Sequence, residues 1–342
     1  MLATDRYPQR VALVRQLVAA GDLAALGTQL VDLAAHNGDT WRFDGAEVRR
    51  AVETLPPPRR HALIIDVIER AGETVAIDSL VRWLAGGLGP DDLSWRAARR
   101  LIAAAEACEV AIPEELRVLA DVAVRETGDV PPALLAVMRR SAKWMPTRSA
   151  PLGPWLSKAT APLNAGEAWA EAANAEAPDP QLLVHALGAK GARPAPGWAR
   201  TAVGLCGEDG AQLVHRWFAL VPRPRTVRLR NHGIYDANEI LDPYNALALR
   251  GLLFLLAART PHHPGDPAAI GRLAGHAAEK VPGHGPRSQI VAYAAVYALE
   301  RIGTGAALDE LQRLRGLGPL PGLAGRLDAA IARRRAALGR TA

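Results

Sequence analysis

Apolar residues recur along most of this chain with the spacing of a helix face. In residues 59–71, Leu63, Ile64, Val67 and Ile68 fall on one side, and polar residues occupy the other. The pattern is clearest in the last third. There, segments 244–258, 267–280, 288–301, 305–314 and 321–338 each carry apolar residues at helical spacing, with glycine or proline in the joints. The Ile302-Gly303-Thr304-Gly305 turn reads as the corner of a HEAT-like helical hairpin. Hairpins of this kind cannot bury their apolar faces alone and stack into an α-solenoid. The spacing therefore predicts an all-α protein, a HEAT-like α-α superhelix, with no sheet larger than a hairpin.

The same reading divides the chain into five segments. Residues 1–145 form N-terminal helical repeats, with helices predicted over 8–20, 23–35, 46–55, 59–71, 75–84, 94–108, 113–127 and 131–145. Ser94 is placed to cap one of them, and Pro113 suits a first helical turn. Residues 146–166 read as a proline-rich connector that Trp155 and Leu156 pin to a helix face. Short helices resume over 167–220, a basic insertion occupies 221–243, and HEAT-like repeats fill 244–342. Little else has strand character beyond short pieces such as 226–229.

Composition narrows the class. The chain has 342 residues, of which 49% are hydrophobic and only 5% aromatic, so leucine and alanine supply the core of a helical protein. The two cysteines, Cys108 and Cys206, lie far apart and read as buried small hydrophobes. Residues 1–10 lack the order of a signal peptide, and the run 252–258 is far short of the roughly 20 residues of a membrane span. A cytoplasmic protein without membrane attachment is expected. The net charge of +6 comes almost wholly from arginine, since the only lysines are Lys143, Lys158, Lys190 and Lys280. That raises the case for an anionic partner modestly.

The insertion VPRPRTVRLRNHGIYDANEILD departs from the repeat pattern, and structureless stretches of that length are usually functional or disordered. Its arginines Arg223, Arg225, Arg228 and Arg230, with His232 and Tyr235, are the candidate partner-binding residues. Guanidinium groups suit bidentate binding of carboxylates or phosphates, and all four are expected to be exposed. Three readings stay open: a solvated arm paired with nearby acids, a protein-binding arm, or a nucleic-acid contact. Downstream, Asp242, Asn245, Arg250 and Glu300 form a candidate structural clamp. Asp242 caps the following helix, and Glu300 pairs with an otherwise apolar-surrounded Arg250.

No catalytic grouping is legible. His262, His263, Asp266, His276 and His284 are ligand types for zinc, but their spacing fits no ligand pattern, so neither metal nor cofactor is expected. The glycine turns 204–210 and 303–305 follow no strand and are not phosphate cradles. Eight tryptophans are scattered over the first two-thirds of the chain and read as inter-helix packing.

At Tyr244-Asn245-Ala246-Leu247-Ala248-Leu249-Arg250-Gly251-Leu252, and again from Ser288 to Gly305, the chain resembles a helical region of the bacterial molybdate-metabolism-regulator-like proteins of unknown function. Those proteins carry an Asn-x-x-x-x-Arg-Gly-Leu segment followed by an alanine-rich hairpin. The resemblance covers about 100 residues. It implies a HEAT-like superhelix and a partner protein, and it brings no catalytic residues. The expected function is a non-enzymatic scaffold that binds a protein. The alternative is a nucleic-acid-binding protein of the helical-repeat DNA glycosylase type, which a tight cluster of Trp, Asp or Glu, and Arg would favour.

Overall fold

Helices begin and end where short polar residues and glycines fall. The hydroxyls of Ser94, Ser288 and Thr304 each accept from a backbone N–H three residues on, at 3.4, 3.5 and 3.2 Å. Each satisfies one of the orphan donors of a first turn. Gly303 closes its helix in the left-handed conformation, with φ at 69°, which glycine adopts without steric cost. The computed structural model describes residues 7–37, 45–71, 77–177, 179–206, 209–230 and 235–339. The described residues are all-α, with eighteen α-helices and a single two-stranded antiparallel pairing of Lys280–Val281 with Gly285–Pro286. The segment 226–229 forms no strand. None of the described helices is long and apolar enough to cross a membrane.

Two compact units emerge, Met1–Ser157 and Lys158–Ala342. The first contains α1 (Tyr7–Ala20), α2 (Leu23–Asn37), α3 (Gly45–Glu53), α4 (Pro57–Ala71), α5 (Asp78–Leu84), α6 (Trp95–Glu106), α7 (Pro113–Thr127), α8 (Pro132–Trp144) and α9 (Gly153–Leu156). Helices α2, α4, α6 and α8 pack in one row, and α1, α3 and α5 in another. The faces read from the sequence meet between them: Leu63, Ile64 and Val67 are buried with Leu26, Leu30 and Leu80. The expected connector is divided. Its first part belongs to this unit, where Trp155 and Leu156 pack on the core, and its second part opens the other unit.

The second unit contains α10 (Ala168–Glu176), α11 (Pro180–Leu187), α12 (Pro196–Cys206), α13 (Gly210–Leu220), α14 (Asn245–Ala258), α15 (Asp266–Ala278), α16 (Gln289–Ile302), α17 (Gly305–Gly316) and α18 (Pro321–Ala337). One row runs through α11, α14, α16 and α18, and the other through α10, α13, α15 and α17. Helix α14 is central. Eleven of its fourteen residues are buried, because its sequence is apolar on every side.

That packing makes Gly251 irreplaceable. A Cβ there would stand 2.5 Å from the Ala186 Cα, and closer still to its carbonyl oxygen, which are rigid backbone atoms of α11. At Gly271 a Cβ would meet the Glu310 side chain, from its carboxylate back to Cγ, a flexible chain rather than rigid backbone. Gly251→Ala should therefore lose about 2–3 kcal/mol through overpacking, despite about 1 kcal/mol of gained helix propensity. Gly271→Ala should fold within about 1 kcal/mol of the parent. Urea denaturation of the two variants checks the contrast.

Candidate functional site

The insertion before α14 is anchored rather than free. Asn238 grips Leu229 through both its main-chain groups, each at 2.7 Å, and the Thr226 N–H donates to the Gly166 carbonyl at 3.2 Å. These bonds pull the chain over the start of α14 and divide the four arginines. Arg223 and Arg228 are exposed, and Arg230 is half-buried. Arg225 is not exposed as expected. Its side chain is only 6% accessible, and its terminal nitrogens lie 3.7 Å from carboxylate oxygens of both Glu167 and Asp242. Tyr235 is half-buried and its ring lies 4.9 Å from that of His284, while His232 lies outside the described residues.

Around Arg225 the structure closes a buried polar cluster. Asp242 accepts from the N–H groups of Tyr244 and Asn245 at 2.9 and 3.2 Å, the capping role read from the sequence. Asn164 donates through its side chain to Asp242 at 3.1 Å and through its backbone N–H to the Asn245 side-chain oxygen Oδ1 at 2.8 Å. Glu167 accepts from the Asp242 N–H at 2.7 Å, Asn245 at 2.9 Å and the Trp169 indole at 3.0 Å. Gly166 beside the arginine holds φ at 103°, a conformation that L side chains rarely adopt. Burial, and then the neighbouring Asp242 charge, push the Glu167 carboxyl above its ordinary range, opposed by Arg225 and the donors.

Outside this cluster a cleft of about 440 Å³ is lined by Arg223, Arg225 and Arg228 together with Asp236, Glu239 and Arg287. Its charge is largely balanced. Arg287 is held by Glu239 at 2.6 Å and Glu279 at 2.7 Å, leaving Arg223 and Arg228 as its exposed cations. His276 also lines the cleft, and burial, with the Arg287 charge beside it, holds it below the ordinary imidazole value.

The other half of the expected clamp is partnered differently. Arg250 bonds the carbonyl of Ala189, two residues past the end of α11, and its Nε has no hydrogen-bond partner. Burial lowers its guanidinium from the ordinary arginine value. Glu300 pairs instead with Arg333, through two bonds of 2.6 and 2.9 Å, and that bidentate bond lowers its carboxyl. The reason is reach: Arg333 arrives from α18, which packs directly on α16.

Arg250 and Glu300 do share a larger feature. Two hollows of about 570 and 520 Å³ share the lining residues Arg193, Phe254, Tyr297 and Glu300 and form one groove along α14, α16 and α18. Six arginines line it, namely Arg193, Arg250, Arg301, Arg326, Arg333 and Arg334, against one carboxylate, Glu300. The floor is apolar and aromatic. Phe254 and Tyr297 meet edge to face at 5.2 Å, and Arg326 stacks 4.1 Å over the Tyr293 ring. Sequence reading missed this groove although its signal is present. Arg326, Arg333 and Arg334 repeat at helical spacing on α18, as do Tyr293, Tyr297 and Glu300 on α16. The groove can hold an anion against an apolar wall. Its single carboxylate, Glu300, is already bound by Arg333.

Among the described tryptophans, Trp169 and Trp217 are fully buried, Trp198 stacks on His185 at 4.8 Å, and Trp83, Trp95 and Trp155 pack on the first unit's core. Trp144 is 60% exposed, and none of the tryptophans lines the groove. No protein-family model, curated protein or solved structure matches the chain.

Replacing Arg225 tests the cluster. An acid with a raised pKa favours folding least at high pH, because the unfolded chain ionises first. Removing the cation takes away what opposes that rise at Glu167, so Arg225→Met should lose about 3–5 kcal/mol at pH 8, and distinctly less at pH 5. Urea melts at the two pH values read this directly, and an equal loss at both would refute the ion cluster.

Proposed function

We propose that this chain is a HEAT-like helical-repeat scaffold, without catalytic activity, whose second unit holds an acidic segment of a protein partner. The observation that carries this reading is the groove of six arginines and one carboxylate over Phe254, Tyr293 and Tyr297. Charge complementarity selects an anionic ligand, and the aromatic floor, with Ile290 partly exposed at its edge, supplies the apolar anchor that peptide recognition uses. The two rows of helices in each unit are the arrangement from which an α-α superhelix is built, and the resemblance near Arg250 points the same way.

The nucleic-acid alternative draws on the same arginines and is weaker on magnitude. Duplex binders typically neutralise about six to ten phosphates. In the groove Arg333 is spent on Glu300, and Arg250 and Arg334 are half-buried, which leaves Arg193, Arg301 and Arg326 fully presented. The aromatic partners are tyrosine and phenylalanine rather than the Trp cluster expected of the glycosylase type.

The triple variant Arg193→Glu, Arg301→Glu, Arg326→Glu tests the reading, since exposed substitutions change stability by only about 0.5 kcal/mol each. Fluorescence anisotropy should show an Asp/Glu-rich peptide containing leucine and phenylalanine binding the parent protein, with at least a tenfold loss in the variant. A duplex or single-stranded oligonucleotide should bind more weakly and with a steeper salt dependence. Tighter oligonucleotide binding at physiological salt would replace the protein-partner reading with the nucleic-acid one.

A further inference from the structure

The histidines of the loop before α15 gain a partner that their own spacing does not reveal. His215, on α13, meets His263 and Asp266, so that one potential ligand atom from each lies within 4.8 Å of the others. The rings of His215 and His263 stand 5.2 Å apart, nearly perpendicular. His215 Nε2 and Asp266 Oδ1 are 2.7 Å apart. His276 and His284, the other histidines near this loop in sequence, lie instead beside Glu279 and Tyr235.

We propose that His215, His263 and Asp266 bind a single divalent transition-metal ion of the zinc class. Two imidazoles and one carboxylate form a borderline nitrogen–oxygen donor set. It suits Zn²⁺ and its first-row neighbours rather than Mg²⁺ or Ca²⁺, and it leaves a coordination position for water. Donor atoms about 2.0–2.1 Å from a tetrahedral ion stand about 3.3 Å from each other. The 2.7 Å His215–Asp266 pair must therefore open slightly, and the third donor must move inward. In the metal-free cluster a proton occupies the line between His215 and Asp266. The ion replaces it, and that proton passes to solvent.

The surroundings prepare the carboxylate for this role. Its second oxygen accepts the His263 backbone N–H at 2.9 Å, which fixes its orientation, and its side chain is fully buried while His215 retains 16% exposure. His263 Nδ1 accepts the Gly265 N–H at 3.0 Å, so that nitrogen carries a lone pair and no proton, and an ion bound there would take the place of the Gly265 N–H. In the same loop His262 Nδ1 is buried without a hydrogen-bond partner. The positive end of α15 opposes a cation, and the Asp266 charge at its first residue offsets that field. A bound ion would tie α13 to α15 across one row of the second unit.

Tag-free full-length protein, stripped with EDTA and titrated with zinc alone in a calorimeter, should take up one equivalent and melt at a higher temperature. Co²⁺ should give the visible absorption of a low-coordinate nitrogen–oxygen site. His215→Gln keeps a donor to Asp266 and so keeps the fold, as should His263→Gln, yet each should bind zinc at least tenfold more weakly. His284→Ala, outside the cluster, should bind like the parent. Unchanged zinc affinity in both glutamine variants, or a folded parent that takes up no zinc, would show the cluster to be a hydrogen-bonded clamp and overturn the proposal.

Discussion

A helix that is apolar on every side can exist in water only inside other helices, and its first-turn N–H groups then need partners that solvent cannot supply. Helix α14 is in that position, with Asn245 at its start fully buried. The chain meets the need with Asp242, which accepts from two of those N–H groups, and this places a carboxylate where water cannot solvate it. Asn164, Glu167 and Arg225 follow from that choice: Asn164 donates to the acid, Arg225 offsets its charge, and Glu167 accepts the Asp242 N–H. The insertion reaches back over the helix start because Arg225 must be delivered there.

Arginine consequently does two different kinds of work in one unit. Arg225 is buried between two acids and contributes to the fold, whereas Arg193, Arg301 and Arg326 stand exposed along the groove. Helix α14 joins the two regions. Asn245 belongs to the polar cluster, and five residues later Arg250, then Phe254, reach the groove on the side facing α16. The close approach of α11 falls at Gly251, beside Arg250. A change that shifts α14 is therefore felt at both places, because neither end has slack to absorb it.

The histidine cluster belongs to the other row of helices, built on α13 and α15, and shares none of the groove's residues. It repeats the logic seen at α14. A carboxylate at a helix start, Asp266, is fully buried, and its partners come from a neighbouring element. In the second unit, buried helix starts carry much of the interior polar chemistry.

The helices themselves were legible without the fold. Apolar spacing located α14 to α18 to within a few residues, and Ser94 marked a helix start, because these signals act over a single turn. Asp242 as a cap was readable for the same reason. Tertiary structure decided the partnerships. Asn164 meets Asp242 across 78 residues, His215 meets Asp266 across 51, and Glu300 meets Arg333 across 33. Whether an arginine is a free charge or a buried counter-ion depends on which carboxylates packing brings beside it. Spacing along the chain carries no record of those distances, so Arg225 looked like its exposed neighbours until the helices were in place.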